Sequence, residues 1–340
     1  MASTIDFVLV TGSTGFIGAH VVDTLLARGL RVRGATRSLA KGDEMIQARP
    51  QYADKLEFVQ IQDFENPGGL TEAVKGVDAV IHVASPFNYD ITDNEKELII
   101  PAINGVRSML EAASNAPSIQ RVVVTSSFAA VVDINRTGPP GFTYTAADWN
   151  PLTYEEAADP QSTPVVAYRG SKKYAELAAW DFIKEKKPHF DIVTLCPPMV
   201  FGPIVHPIKS LDHLNESNAA LWKITRGSSP LPTARVPFWI DVRDLAIAHV
   251  EAALRKEAGG KRYTPASPGR WSYALAAQHM VSEFPQLRDS VKLEEQVIDE
   301  TLNLDGETAA SELGYQCRKF EETIRDFTAQ CLARKEKEAA

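Results

Sequence analysis

Short apolar runs alternate with amphipathic stretches over the first two-thirds of the chain. The apolar runs predict buried β-strands at Phe7–Val10, Arg31–Ala35, Leu56–Gln60, Ala79–Val83, Arg121–Thr125 and Ile192–Leu195. The stretches between them have apolar residues at helical spacing and predict helices at Phe16–Arg28, Leu70–Val74, Lys96–Ala113 and Tyr174–Lys186. Strands that alternate with helices favour βαβ units, and right-handed crossovers between them produce a doubly wound parallel sheet of the α/β class.

The pattern loosens after Phe201, where prolines interrupt the chain. We predict helices there at Asn218–Arg226, Val242–Arg255, Ser272–Phe284 and Phe320–Arg334, and a strand at Phe238–Ile240. The sheet domain should therefore span residues 1–199, with 238–257 returning to it, and a smaller, mixed C-terminal lobe should comprise 200–237 and 258–340. Pro101 falls within the third predicted helix, and it should either kink that helix or mark where its regular part begins.

The composition is that of an ordinary globular protein, with 340 residues of which 44% are hydrophobic and 24% charged. The net charge of -8 disfavours nucleic acid and anionic membranes as partners. Three scattered cysteines do not suit a disulfide framework or a zinc site, and the seven histidines show no metal-ligand spacing, so we expect no metal. No apolar run approaches the roughly 18 residues of a membrane span. We expect a cytoplasmic protein, and composition leaves open whether it is a monomer or a homodimer.

Three glycines, Gly12, Gly15 and Gly18, follow the first predicted strand and open the first predicted helix. Gly12 permits a tight turn, Gly15 allows the backbone to approach a pyrophosphate, and Gly18 allows the helix to pack closely on the strand. The helix N-terminus adds free N–H groups and the positive end of the helix dipole. This context predicts a dinucleotide site in a Rossmann-type sheet, and the alternative is a glycine-rich turn that holds no ligand.

The end of the second predicted strand bears on which dinucleotide binds. NAD sites usually place a carboxylate there, on the ribose 2′-hydroxyl. This strand instead ends in Gly34-Ala-Thr-Arg-Ser38, and Arg37 and Lys41 come before the first acidic residue, Asp43. Two charge-assisted hydrogen bonds of about 1.5–3 kcal/mol each would favour the 2′-phosphate of NADP by a hundredfold or more. The alternative is a pair of solvated loop cations.

Tyr168 and Lys172 are one helical turn apart, so their side chains project from the same face of a helix. They follow a predicted strand that ends at Ser126 and Ser127. An ammonium near a tyrosine lowers the phenol pKa from about 10 towards neutrality, where proton transfer is efficient. Ser127 could then hydrogen-bond a carbonyl oxygen as negative charge develops on it. Ser126 is the competing candidate, because side chains alternate faces along a strand.

Two further positions carry weaker signals. Asp63 follows the third predicted strand and would either accept a hydrogen bond from an adenine amino group or cap a turn. Phe87 follows the strand that contains His82, at the sheet edge where such folds bind ligands, and would either line a pocket or pack in the core.

Together these motifs resemble those of the extended short-chain dehydrogenase/reductases, and within them the dihydroflavonol-reductase-like branch that includes fungal NADPH-dependent aldehyde and ketone reductases. The resemblance runs from residue 7 to about residue 250. The segments that carry it are Val10-Thr-Gly-Ser-Thr-Gly-Phe-Ile-Gly18, Arg33-Gly-Ala-Thr-Arg37, His82-Val-Ala-Ser-Pro86, Arg121-Val-Val-Val-Thr-Ser-Ser127, Tyr168-Arg-Gly-Ser-Lys172, Pro197-Pro-Met-Val-Phe-Gly-Pro203 and Trp239-Ile-Asp-Val-Arg-Asp244. Gly170 is an uncommon residue inside the fifth segment, since glycine in a helix costs about 1 kcal/mol relative to alanine.

The resemblance implies a catalytic triad of Ser127, Tyr168 and Lys172, in which Tyr168 gives a proton and NADPH gives a hydride. It also implies a set of cofactor-binding residues, namely Gly12, Thr14, Gly15, Phe16, Ile17, Gly18, Arg37, Lys41, Asp63, Val83, Ala84, Ser85, Thr125, Tyr168, Lys172, Pro197, Met199 and Val200. Four residues would form a mainly apolar wall of the substrate pocket, namely Phe87, Phe128, Met199 and Trp239.

We therefore expect an NADPH-dependent carbonyl reductase that converts a small aldehyde or ketone into a chiral alcohol, with the smaller lobe binding the substrate. A nucleotide-sugar epimerase or dehydratase would use the same triad and retain its cofactor. The basic end of the second strand and the modest, apolar later lobe argue against that alternative. A third alternative, a sensor that binds NADP without turnover, has no need of a complete triad.

Overall fold

The computed structural model describes residues 4–64, 67–85, 92–136 and 140–339. Its strands are β1 Phe7–Thr11, β2 Arg31–Thr36, β3 Leu56–Gln60, β4 Ala79–His82, β5 Arg121–Thr125, β6 Phe142–Tyr144, β7 Asp191–Leu195, β8 Met199–Phe201, β9 Trp239–Asp241, β10 Arg262–Tyr263 and β11 Leu302–Leu304. Seven of them form one parallel sheet in the order β3-β2-β1-β4-β5-β7-β10. Six of the seven are the strands predicted in the first two-thirds of the chain. The predicted Rossmann-type, doubly wound α/β fold is confirmed.

Helices cover both faces of this sheet. They are α1 Phe16–Ala27, α2 Leu39–Gln47, α3 Pro67–Ala73, α4 Ile100–Ser114, α5 Tyr154–Ala158, α6 Pro164–Lys186, α7 Glu216–Thr225, α8 Val242–Leu254, α9 Tyr273–Glu283, α10 Glu307–Leu313 and α11 Phe320–Ala339. In β1, Val8 and Val10 join the core beneath α1 and α8, whereas Phe7 and Leu9 join the core beneath α3, α4 and α6. Both faces of the central strands are buried, and β1, β4, β5 and β7 therefore read as largely apolar runs.

Two residues of types that usually weaken helices, a proline and a glycine, are explained by their positions. Pro101 lies in the first turn of α4, directly after a π-helical stretch at Glu95–Ile99, so it marks where the regular helix begins. The residues before it are helical as well, and a proline suits this change from π-helical to α-helical geometry because it has no N–H group to donate to the preceding turn. At Gly170, a Cβ atom would lie 2.2 Å from the Cβ of Ala157, so this glycine lets α6 pass close to α5.

The smaller lobe has its own hydrophobic core, in which Trp239, Trp271 and Phe320 pack together. Two small parallel sheets accompany it, β8 with β9 and β6 with β11. The chain returns to the large sheet with α8, whose apolar face packs beneath the sheet, whereas Trp239 of the same predicted segment, 238–257, joins the core of the smaller lobe. It returns again with Arg262–Tyr263, which lie in the segment predicted for the smaller lobe and form the edge strand beside β7.

Within the described ranges, none of the helices combines the length and the apolar character needed to cross a membrane.

Candidate active site

A cleft of about 1060 Å³ lies at the carboxyl ends of β1, β2, β4 and β5. Open α/β sheets bind their ligands at this edge, where the strand order reverses. Most of the predicted cofactor-binding residues line the cleft, namely Gly12, Thr14, Gly15, Phe16, Arg37, Lys41, Asp63, Ala84, Ser85, Thr125 and Lys172. The fold therefore brings the glycine turn, the basic strand end and Lys172 to one place.

The glycine turn is built so that no side chain fits inside it. Gly12 has a φ of 66°, and a Cβ atom there would lie 3.0 Å from the backbone nitrogen of Ala84. A Cβ atom at Gly18 would lie 2.1 Å from the carbonyl oxygen of Gly12. Gly15 precedes the first residue of α1 and has no side chain to cap the N–H groups of the first turn. These groups suit an anion such as a pyrophosphate.

The end of β2 is tied to the glycine turn through hydroxyl groups. The Ser13 hydroxyl donates to the carbonyl oxygen of Ala35 at 2.9 Å, and the hydroxyls of Thr14 and Thr36 are 3.1 Å apart. Arg37 follows directly and lines the cleft. This arrangement suits a ligand that places one phosphate beside the end of β2 and two more at the glycine turn.

Lys172 lies at the other part of the cleft, on α6, which begins at Pro164 after the capping residue Thr163. Its Nζ donates to the Ser85 hydroxyl at 2.8 Å and lies 5.8 Å from the centre of the Tyr168 ring. Burial lowers the pKa of Lys172 to about 8, while its interactions with Cys196 and, to a smaller extent, Glu176 raise it. An ammonium at this distance favours the phenolate form of Tyr168.

The two serines after β5 have different partners. The Ser126 hydroxyl is buried and donates to Glu176 at 2.6 Å. The Ser127 hydroxyl accepts from the backbone N–H of Ala129 at 3.1 Å, which leaves its own proton for another acceptor. Ser126 lines the cleft, whereas Ser127 caps a short 3₁₀ helix at Phe128–Ala130 and is not part of the described lining.

Two of the aromatic residues predicted for the substrate wall belong to hydrophobic cores instead. Phe128 is 2% exposed and packs edge-to-face against Tyr144 and Phe238. Trp239 is 1% exposed and packs against Phe320. The wall prediction is wrong for both, because other side chains of the fold cover these rings. Phe87 lies outside the described residues, and Met199 is half-buried against the core of the smaller lobe.

Some predicted cofactor residues are not part of the described cleft lining, namely Ile17, Gly18, Val83, Tyr168, Pro197, Met199 and Val200. Conversely, a segment of the smaller lobe that sequence reasoning missed reaches the cleft, namely His206, Pro207, Ile208, Lys209, His213, Leu214 and Asn215. The His206 ring contacts Phe16 at the start of α1, and burial lowers the pKa of His206 to about 4. No motif in this proline-interrupted segment signals its position.

Asn150 is a second residue that sequence reasoning missed. It is 2% exposed, and its side-chain nitrogen donates to the carbonyl oxygens of Ala129 at 2.7 Å and Arg169 at 3.3 Å. Its backbone nitrogen donates to the carbonyl oxygen of Ala130 at 2.9 Å. Asn150 therefore joins the 3₁₀ helix that Ser127 caps to the helix that carries Tyr168.

An Asn150→Ala variant should lose about 1–3 kcal/mol of unfolding free energy, because two carbonyl oxygens lose a buried hydrogen-bond donor. Its kcat should fall as well, since the segments that carry Ser127 and Tyr168 lose their link. Urea denaturation and initial-rate kinetics measure the two effects. Asn115 is an exposed asparagine with a local bond to Glu111, and Asn115→Ala should change stability by about 0.5 kcal/mol or less. Equal losses in both variants would contradict the linking role of Asn150.

The chain belongs to the NAD dependent epimerase/dehydratase family, whose sequence model matches residues 8–264. It is 34% identical over 343 residues to the NADPH-dependent methylglyoxal reductase GRE2 of Saccharomyces cerevisiae, with 96% of this chain and 98% of that protein covered. It is 36% identical over 302 residues to the ketoreductase azaE of Aspergillus niger, with 85% of this chain and 86% of that protein covered. The predicted place among the extended short-chain reductases is confirmed.

Solved structures agree with this assignment. The crystal structure of yeast methylglyoxal/isovaleraldehyde reductase Gre2 complexed with NADPH has a TM-score of 0.88 at 32% identity, with 97% of this chain and 99% of that chain covered. Vestitone reductase from alfalfa has a TM-score of 0.75 at 24% identity, with 97% and 99% covered, and therefore supports the fold alone.

Proposed function

We propose that this chain is an NADPH-dependent carbonyl reductase that converts aldehydes or ketones into chiral alcohols. One observation carries the proposal: a single cleft holds the cations Arg37 and Lys41 beside β2 and the buried Lys172 beside β4 and β5. The first pair suits the 2′-phosphate that distinguishes NADP from NAD. The lysine suits acid–base chemistry at a carbonyl. NADPH-dependent reductases that align with nearly the whole chain support the same conclusion.

The glycine turn and the basic strand end fit NADPH. Gly12 lets the turn pass close to the backbone of Ala84, and the first-turn N–H groups of α1 would bind a pyrophosphate. Arg37 and Lys41 would hold the 2′-phosphate, and Asp63 would approach the adenine amino group. NADPH supplies a hydride to the carbonyl carbon when it is bound. The other predicted contacts remain part of this proposal.

The chain's own side chains would handle the carbonyl oxygen. Ser127 would donate a hydrogen bond to that oxygen, which stabilises the negative charge that develops on it. Tyr168 would hold the reacting proton at its phenolic oxygen and pass it to the substrate oxygen. Lys172 would stabilise the phenolate that Tyr168 becomes, and at neutral pH its pKa of about 8 keeps most of it protonated.

The substrate would be a small aldehyde or ketone held between the sheet edge and the smaller lobe, with Met199 on its wall. The names of the yeast relatives, reductases of methylglyoxal and isovaleraldehyde, support small aldehydes as the first compounds to test. We place the enzyme in the cytoplasm, as a monomer or a homodimer, and without a nucleic-acid partner.

The test is NADPH consumption by the purified chain with a panel of short aldehydes, α-keto esters and aryl ketones, and with NADH in parallel. We expect turnover of at least one carbonyl class with NADPH and much weaker turnover with NADH. Protein that carries tightly bound NAD and reduces no carbonyl would overturn the proposal in favour of an epimerase or dehydratase. Protein that binds NADPH and reduces no member of the panel would favour the sensor.

A further inference from the structure

Glu176 is a buried carboxylate one helical turn after Lys172 on α6, and it is 1% exposed. The hydroxyls of Ser126 and Thr194 each donate to one of its oxygens at 2.6 Å. Arg262 donates to both oxygens, at 2.8 Å and 3.1 Å, in an ion pair that is almost completely buried. Residues from β7 and β10 and the end of β5 thus converge on one carboxylate beside the catalytic lysine.

Arg262 holds this carboxylate in place. Its guanidinium also donates to the carbonyl oxygens of Ala146 and Asp148, and it lies 3.7 Å from the centre of the Trp149 ring. A buried ion pair with this many additional bonds has little freedom to rearrange. Glu176 therefore presents its negative charge at a fixed position relative to α6, and it also forms part of the cleft wall.

Two other ionisable groups near Lys172, Cys196 and His82, are uncharged at neutral pH. Burial raises the pKa of the Cys196 thiol far above its usual range, and the charge of Glu176 raises it further. Burial lowers the pKa of His82 to about 4, and the Lys172 ammonium lowers it further. Among the described groups that act on Lys172, Glu176 therefore supplies the negative charge, and Arg262 is paired with that carboxylate.

We propose that Glu176 is a positioning residue of the reductase. Its carboxylate keeps the Lys172 side chain protonated. It also accepts the hydrogen bond of the Ser126 hydroxyl, so that Ser127 is the serine that donates to the substrate. This inference rests on the proposed function for the roles of Lys172 and Ser127. Because Lys172 is itself buried, loss of the neighbouring anion shifts its protonation equilibrium towards the neutral amine. The neutral amine no longer stabilises a phenolate.

Two variants test the charge of Glu176. Glu176→Gln removes the anion but leaves Arg262 buried without a counter-ion, which destabilises the fold. The double variant Glu176→Gln with Arg262→Met removes both charges and keeps the test valid if the single variant does not fold. Acetic anhydride labelling of Lys172 across a pH series, read by mass spectrometry on the purified chain, gives the midpoint of its deprotonation. We expect both variants to lower this midpoint by about one pH unit, and to move the alkaline limb of kcat the same way.

Glu185 provides the matched control, because it is an exposed glutamate on the same helix. Glu185→Gln should leave the midpoint unchanged. Glu176→Asp keeps the anion, so its midpoint should lie close to that of the unaltered chain. If the midpoint in the double variant equals that of the unaltered chain, the proposal is overturned. This holds even if Glu176→Gln alone shifts the midpoint. Labelling needs no substrate, so a shifted midpoint in a chain that reduces no carbonyl would refute the proposed function and leave the charge role intact.

Discussion

A Tyr168→Phe variant should lose at least about a hundredfold in kcat, because general acid catalysis contributes roughly that much or more. Its affinity for NADPH should change little, since the cations and the glycine turn that would hold the cofactor lie elsewhere in the cleft. The phenol is the group that would give its proton to the substrate oxygen, and phenylalanine keeps the ring without that proton. Initial-rate kinetics and an NADPH binding titration separate the two effects.

Tyr174 offers a matched control on the same helix. Its hydroxyl donates to the carbonyl oxygen of Leu152 at 3.2 Å, on a part of α6 that does not line the described cleft. Tyr174→Phe removes an equivalent hydroxyl and should keep kcat close to that of the unaltered chain. Near-normal turnover in Tyr168→Phe would remove Tyr168 from the mechanism.

An Arg37→Glu variant should weaken NADPH binding by roughly ten- to hundredfold or more, because a charge-assisted hydrogen bond of about 1.5–3 kcal/mol is lost and a like charge faces the 2′-phosphate. NADH lacks that phosphate, so its affinity should change far less. Dissociation constants for NADPH and NADH, measured at one ionic strength, give the ratio of the two affinities, which we expect Arg37→Glu to lower.

Arg31 is the control for net charge, since it is an exposed arginine at the opposite end of the same strand. Arg31→Glu changes the charge of the chain equally and should leave the NADPH-to-NADH ratio unchanged. If Arg37→Glu weakens both cofactors equally, the assignment of Arg37 to the 2′-phosphate is wrong.

The strands of the large sheet were predictable because both faces of the sheet are buried. Residues of β1 such as Val8 and Leu9 enter opposite cores, so the first four positions of the strand are apolar and the run stands out from its surroundings. The turn at Gly12 and Gly18 was equally visible, because a Cβ atom would collide with backbone there whatever the rest of the fold does.

The missed elements lack such local signals. In α2, Gly42 and Met45 are the fully buried residues, so the apolar face of this nine-residue helix is short. β6 and β11 have three residues each and pair with each other from distant parts of the chain. The edge strand at Arg262–Tyr263 has two residues and depends on β7 for its existence. Non-local pairing defines all three strands.

Composition, the positions of the large sheet's longer strands, the glycine turn and the spacing of Tyr168 and Lys172 can be read from the chain alone, because each depends on residues close together in sequence. The burial of Phe128 and Trp239, the carboxylate beside Lys172 and the link through Asn150 could not be read in this way. An aromatic ring at the edge of a sheet has the same sequence signature whether it is exposed or covered. What covers it, and which charge faces a buried lysine, depends on residues brought together only when the chain folds.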